Sequence, residues 1–167
     1  MRYFLDTEFN EDGKTIELIS IGIAREDGAT LYLVSAEFDP TACQDWVKEN
    51  VLPKLGDAPR MTRKQIADEI LRFVPADPKP EFWGYFADYD WVVLCQLFGR
   101  MVDLPKGFPM YCMDLKQWAK QLGVDIKKAV PQPADAHNAI ADAMWMREAH
   151  AYLAGHNGDK RHAGANE

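Results

Sequence analysis

Two acidic residues, Asp6 and Glu8, interrupt the aromatic and apolar start of the chain, Arg2 to Phe9. Acidic residues are depleted in strand interiors, so a pair of them in a predicted strand needs a reason. In a strand they point to the same face, about 7 Å apart along the chain at ~3.3 Å per residue. One explanation is a solvated strand end, and the other is a divalent cation, which prefers closely placed carboxylate oxygens.

Further residues of the same chemical type follow later in the chain. Asp90 comes after a predicted strand, where α/β sheets collect ligands, although Asp88 competes for this role and either residue could cap a helix. His137 and Asp142 open the last predicted helix. Five residues rotate by about 140° around a helix, so these two side chains can flank one site only if His137 projects from the helix entry. Taken singly, each could also be an ordinary solvent-exposed residue.

The elements that must position these residues follow from periodicity and turn signals. The pattern predicts an antiparallel three-strand meander over 2–9, 15–25 and 29–35, with Asp27-Gly28 in a hairpin turn. It then predicts helices over 40–55, 62–74, 88–98, 114–122 and 137–153, and strands over 81–86 and 110–113. This order predicts an α/β fold with a mixed five-stranded sheet flanked by helices. We expect one domain over 1–153 and a disordered polar tail over 154–167.

Composition excludes several classes of protein. The chain has 167 residues, a formal net charge of −7 and 47% hydrophobic residues, which argues against wholesale disorder. No apolar run approaches the ~20 residues of a membrane-spanning helix. Three widely spaced cysteines, Cys43, Cys95 and Cys112, predict neither a disulfide framework nor a structural zinc site, and favour a cytoplasmic location.

Taken together, the motifs resemble a known family. Asp-x-Glu at Asp6 and Glu8, then Asp90, then His-x-Ala-x-x-Asp-Ala from His137 to Ala143 resemble the DEDDh branch of the DnaQ-like 3′–5′ exonuclease superfamily, in the same order. The stretches RYFLDTEFNEDGKTIELISIG and DWVVLCQLFG also resemble small bacterial exoribonucleases known from mycobacteria and described as adenylate-preferring. This second likeness covers roughly residues 1–150. The superfamily's Thr-Gly-Leu after Asp-x-Glu is absent, and Phe9-Asn10 stands there instead.

The resemblance implies a ribonuclease H-like fold and a chemistry. The activity would be hydrolysis of single-stranded RNA, with DNA possible, from the 3′ end to nucleoside 5′-monophosphates, by a homodimer. Two Mg²⁺ or Mn²⁺ ions would be held by four carboxylates, with Asp6 between the metals, Glu8 and Asp142 on one, and Asp90 on the other. His137 would be the general base. Phe9 is expected to stack on the terminal base, and Thr7 is a second expected substrate contact.

Other functions stay open at this point. A 3′–5′ DNA exonuclease and a ribonuclease H-type endonuclease would use similar acids, and a nucleotide- or RNA-binding module could keep the fold without catalysis. A metal-dependent phosphatase would explain Asp6 and Glu8, but not His137 with Asp142.

Overall fold

A mixed sheet of six strands is the centre of the computed structural model, which describes residues 1–76 and 79–163. In chain order the strands are β1 (Arg2–Glu11), β2 (Ile16–Arg25), β3 (Thr30–Ser35), β4 (Arg60–Met61), β5 (Glu81–Gly84) and β6 (Met113–Asp114). Their spatial order is β4-β3-β2-β1-β5-β6. Strands β1 to β3 form the predicted antiparallel meander, while β4 pairs parallel to β3, β5 to β1 and β6 to β5. The predicted mixed sheet is confirmed.

The strand count is one higher than predicted. Strand β4 has two residues, too few to show an alternating pattern, and the sequence analysis missed it. The last strand is β6 at Met113–Asp114, so the predicted span 110–113 was wrong except at Met113.

The helices cover both faces of this sheet. They are α1 (Asp45–Asn50), α2 (Arg63–Phe73), α3 (Asp88–Phe98), α4 (Leu115–Leu122), α5 (Ile126–Ala129) and α6 (Ala139–Ala163). Helix α1 is shorter than the predicted 40–55, and a 3₁₀ turn at Leu52–Lys54 follows it. Thr62 caps α2 with a capping box. Helix α5 was not predicted.

The last helix extends beyond its predicted end at Leu153, because α6 continues to Ala163. The extent of the expected domain and tail is otherwise untested, since residues 164–167 lie outside the described part of the chain.

Side chains alternate between two hydrophobic clusters on the faces of β1. Leu5 packs with Phe82 and Leu94 beneath α2 and α3. Phe4 packs with Ala143 and Leu153 beneath α4 and α6. Each cluster is almost fully buried, so the strand is fixed between two helical layers and its end is held in a defined position.

The start of α6 lies unusually close to β2. A Cβ atom at Gly22 would lie 2.3 Å from the carbonyl carbon of Ala139 and 2.5 Å from the nitrogen of Ile140. Only glycine allows this approach, which brings the first turn of α6 against the meander.

No helix in the described residues is both long enough and apolar enough to cross a membrane.

Candidate active site

Three carboxylates from β1 and α6 meet on the face of the sheet where α6 begins. Asp6 pairs in register with Gly22, so its side chain points to the face where α6 begins. Glu8 follows on the same face, and Asp142 comes from the first turn of α6. Carboxylate oxygens of Asp6, Glu8 and Asp142 all lie within 4.8 Å of one another. The expectation that β1 and the last helix share a site is therefore met by the geometry.

Asp90 reaches the same pocket from the other helical layer. It lies in the first turn of α3, is buried, and accepts hydrogen bonds at Oδ1 from the Thr7 backbone N–H (2.8 Å) and hydroxyl (2.6 Å). Asp88, its competitor in the sequence, is exposed and lines a different cavity, with Met110 and Gln117. The geometry therefore favours Asp90 over Asp88 as the residue of this pocket.

His137 lies in the turn before α6, as the spacing to Asp142 requires. Its φ is 69°, a left-handed conformation that a non-glycine residue seldom adopts, and its backbone N–H donates to Asp142 Oδ2 at 2.8 Å. Asn138 caps the helix by accepting from the Ala141 N–H at 3.3 Å. The Trp46 ring meets the His137 ring edge-on, with centroids 4.9 Å apart.

Lys54 joins this turn to the segment after α1. Its carbonyl accepts from the Asn138 side-chain amide at 2.8 Å, and its ammonium group donates to the Ala136 carbonyl. Lys54 thus holds the residues on both sides of His137. It is also a cation close enough to lower the pKa values of Glu8 and Asp142.

The carboxylates on β1 are electrostatically crowded. Burial raises the pKa of Glu8 to about 8, and the nearby charges of Asp142 and Asp90 raise it further, while Lys54 opposes them. Burial also raises the pKa of Asp6 well above its ordinary value, with added repulsion from Asp90, Glu8 and Asp142. Ionising all of these acids together is energetically unfavourable without added positive charge.

Hydrogen bonds partly offset the effect of burial on the two helical acids, Asp90 and Asp142. Burial raises the pKa of Asp90 to about 6, although the two hydrogen bonds from Thr7 lower it. Burial raises the pKa of Asp142, and the backbone N–H of His137 opposes this. The other oxygen of Asp142, Oδ1, is buried without a hydrogen-bond partner among the described residues. An unpaired buried carboxylate oxygen is costly unless it binds a cation or a proton.

An aromatic pair stands beside the acids. Phe9 and Tyr89 are stacked, with centroids 5.6 Å apart and planes 18° apart. The pairing of β1 with β2 shifts between Glu8 and Phe9, and such a bulge re-aims the side chains next to it. This irregularity is consistent with Phe9 lining the pocket, although simple alternation would place it opposite Glu8.

The pocket contains every residue that the sequence assigned to the site. Its volume is about 230 Å³, and its lining includes Asp6, Thr7, Glu8, Phe9, Tyr85, Asp90, Gln132, His137, Asp142, Trp145 and Met146. Thr7, expected to contact substrate, also supports Asp90, and its substrate role stays a prediction. The sequence analysis missed Trp46, Lys54, Tyr89 and Gln132. Only Tyr89, next to Asp90, had a sequence signal that could have drawn attention.

The family model described as the 3′-5′ exoribonuclease Rv2179c-like domain matches residues 1–154. The chain belongs to this family. The likeness to mycobacterial exoribonucleases drawn from the sequence is thereby confirmed.

Two proteins of Mycobacterium tuberculosis are similar over nearly the whole family domain. They are 3′-5′ exoribonuclease MT2234.1 of strain CDC 1551 / Oshkosh and 3′-5′ exoribonuclease Rv2179c of strain H37Rv. Each is 44% identical to this chain over 148 residues, which are 86% of this chain and 87% of the relative.

A solved structure shares the fold at low sequence identity. The Mg²⁺- and Mn²⁺-bound form of S. pombe Pop2p aligns with a TM-score of 0.60 and 15% identity, covering 89% of this chain and 80% of Pop2p. This likeness confirms the expected ribonuclease H-like fold of the Rv2179c-like chain.

Proposed function

We propose that this chain is a metal-dependent 3′–5′ exoribonuclease that shortens single-stranded RNA and releases nucleoside 5′-monophosphates. Membership of a 3′-5′ exoribonuclease family supports the reaction class. The observation that carries the proposal is the trio Asp6, Glu8 and Asp142 within 4.8 Å, with His137 held beside it.

The donor set fits divalent metal ions. All the acidic groups offer oxygen, the type of ligand that Mg²⁺ and Mn²⁺ prefer. The raised pKa values of Asp6 and Glu8 and the unpartnered Oδ1 of Asp142 support a site that would be stabilised by added positive charge. The fold neighbour Pop2p binds the same two metals. We propose that Asp6, Glu8, Asp90 and Asp142 would hold two such ions, as the resemblance to the DEDDh branch implies.

Two such ions, when bound, neutralise charge on a phosphodiester and lower the pKa of a bound water. The residues of the chain do the remaining work. His137 takes the proton of the attacking water on its imidazole, as a general base. The Asp142 carboxylate accepts from the His137 backbone N–H, Lys54 bonds to the residues on both sides of it, and the Trp46 ring packs edge-on against the imidazole. Such positioning keeps the base within reach of the water.

The Phe9–Tyr89 stack is the proposed contact for the terminal base. Half of Tyr89 is exposed, at 51%, and the pair forms a flat apolar surface beside the acids. A base stacked on an aromatic ring contributes about 1–3 kcal/mol with little sequence selectivity. On the family likeness, we also propose that the enzyme prefers RNA over DNA and adenylate over other nucleotides.

A homodimer is also proposed on the family likeness. The second 3₁₀ turn, Met101–Asp103, exposes two apolar side chains, Met101 at 48% and Val102 at 66%, which a second copy could cover. Sedimentation of the purified protein should give twice the mass of one chain, and a single-chain mass would refute the dimer. The three free cysteines accord with the proposed cytoplasmic location.

The decisive activity test is a time course on a 5′-labelled single-stranded RNA with Mg²⁺, Mn²⁺ or EDTA, beside the matched DNA. We expect a ladder that shortens from the 3′ end, release of nucleoside monophosphates and no reaction in EDTA. Asp6→Asn and His137→Ala should each lower kcat by about 10²-fold or more, since general-base removal costs typically 10²–10⁴-fold.

Asp88→Asn is the matched control for the acidic variant. Asp88 is exposed on the same helix as Asp90 but lines another cavity, so this variant should keep wild-type activity. Internal cuts would identify an endonuclease instead, and binding of RNA without turnover would identify a binding module. Wild-type rates in both Asp6→Asn and His137→Ala would refute the assignment of the site.

A further inference from the structure

A small aromatic and basic surface borders the candidate active site on the side of β5 and α4. It consists of Tyr85, Phe86, Lys116 and Lys127, and is called the β5 ledge below. The Tyr85 and Phe86 rings meet edge-on, with centroids 4.8 Å apart. The Lys116 ammonium lies 6.0 Å from the centre of the Phe86 ring, and the Lys127 ammonium lies 5.5 Å from the centre of the Tyr85 ring.

Phe86 is placed in a way that packing does not explain. Its φ is 60°, a strained conformation for a bulky residue, and 60% of the residue is exposed to solvent. Strained residues persist where their surroundings impose the conformation, and they cluster at ligand sites. A large ring held outward at such a position offers its surface to something outside the chain.

The two lysines of the β5 ledge have no carboxylate partner. Lys116 and Lys127 are exposed, and neither forms an ion pair among the described residues, whereas Lys128 pairs with Asp125 at 3.4 Å. These two cations lie close to the faces of the Tyr85 and Phe86 rings, in a neighbourhood where Asp114 and Asp125 are also close enough to raise the pKa of Tyr85. Aromatic faces combined with lysines are the typical way to bind single-stranded nucleic acid.

The β5 ledge is continuous with the pocket of the acids. Tyr85 lines that pocket together with Asp6 and Asp142. Lys127 is close enough to Asp142 to lower its pKa. The pocket holds about 230 Å³, below the ~300–1,000 Å³ usual for a small-molecule site, so a chain of several nucleotides must extend beyond it.

We propose that the β5 ledge is a binding subsite for the RNA that lies 5′ of the cleaved nucleotide, with the base two positions 5′ of that nucleotide on the Phe86 ring and phosphates near Lys116 and Lys127. This inference rests on the proposed function. The terminal nucleotide would face Phe9 and the acids, while the chain leaves across Tyr85.

The first test is Phe86→Asn with RNA substrates of two lengths. Asparagine adopts positive φ more readily than phenylalanine, so the variant should unfold at an equal or higher temperature than wild type. We expect KM for a seven-nucleotide RNA to rise at least about fivefold, the loss for one stacked base. KM for a dinucleotide should rise much less. Tyr111→Asn is the matched control, because Tyr111 is an aromatic residue outside the β5 ledge that is 63% exposed. It should leave the KM values of both substrates unchanged.

The second test separates the effect of Lys116 and Lys127 on RNA binding from the effect of the total charge of the protein. The slope of log KM against log salt concentration for the longer RNA should decrease by about 0.7 for each lost phosphate contact in the double variant Lys116→Gln/Lys127→Gln. The matched double variant Lys120→Gln/Lys128→Gln removes the same charge from the same two helices, α4 and α5. It should keep the wild-type slope.

Failure of this inference can be told from failure of the proposed function. If the wild type shortens RNA with Mg²⁺ or Mn²⁺, but Phe86→Asn keeps the wild-type KM for the longer RNA, the β5 ledge proposal is overturned and the function stands. An equal rise in KM for both lengths overturns the placement upstream of the cleaved nucleotide. If the wild type does not hydrolyse RNA with either metal, both proposals fall.

Discussion

Crowding of carboxylates explains the site at the scale of single residues. Asp6, Glu8 and Asp142 lie within 4.8 Å, and the oxygen Oδ1 of Asp142 has no partner among the described residues. A fold that needed these side chains only for stability would have given them cationic partners or replaced them with apolar groups. The arrangement is instead costly without an added cation, so the metal-free protein should show this cost.

We expect this electrostatic cost to make the free energy of unfolding depend on pH when EDTA removes metal ions. Burial raises the pKa of Glu8 to about 8, so between its ordinary value and about pH 8 the folded protein keeps a proton that the unfolded chain releases. Stability therefore falls as the pH rises, by up to about 1.4 kcal/mol per pH unit for one proton. Urea denaturation from about pH 5 to pH 8 in EDTA measures the slope.

Two controls belong to this measurement. Glu8→Gln removes one titrating group and should flatten the slope, and Mg²⁺ should restore stability at the alkaline end. A wild-type stability in EDTA that rises steadily over this pH range would contradict the electrostatic account.

At the scale of elements, the position of α6 decides whether the acids meet. Gly22 on β2 allows the backbone of Ala139 and Ile140 to approach, which brings His137 and Asp142 to the acids of β1. Helix α3 supplies Asp90 from the opposite face, and Thr7 fixes its carboxylate. The site is thus assembled by helix entries rather than by one continuous segment.

Gly22→Ala should push the entry of α6 away from the sheet. The added Cβ would lie 2.3 Å from backbone atoms of Ala139, which cannot move alone, so we expect about 1–3 kcal/mol of destabilisation and a larger loss of activity. Thermal unfolding and RNA hydrolysis measure the two effects. Gly155→Ala is the control in α6, because a Cβ at this position would meet nothing within 4 Å. This substitution should stabilise the protein by about 1 kcal/mol, since alanine favours a helix over glycine. Equal effects of both substitutions would refute the packing argument.

The elements also show what the sequence could and could not predict. The alternation in β1 predicted that Asp6 and Glu8 share a face, and the family resemblance of the motifs predicted that Asp90, His137 and Asp142 lie near them. All five line one pocket. Strands β4 and β6, with two residues each, carry no periodic signal. The contacts of Lys54 and Trp46 depend on how the segment after β3 folds back onto the turn before α6, and local sequence does not encode such a long-range approach.

At the scale of the whole molecule, the proposed function requires an acidic chain to bind an anionic polymer. Because the net charge is −7, we expect this binding to depend on local features rather than on the total charge. We propose three of them: cations at the carboxylates, aromatic stacking at Phe9 and Phe86, and the lysines of the β5 ledge. The parallel neighbours β1 and β5, both inside the sheet, carry Phe9 and lead into Phe86.

The most direct test of the central claim is an anomalous difference map from crystals of this protein grown with Mn²⁺ and adenosine 5′-monophosphate. The account predicts strong Mn²⁺ peaks among the carboxylates of Asp6, Glu8, Asp90 and Asp142, with the phosphate beside them. Crystals that contain the nucleotide but show no Mn²⁺ peak between these residues would contradict it.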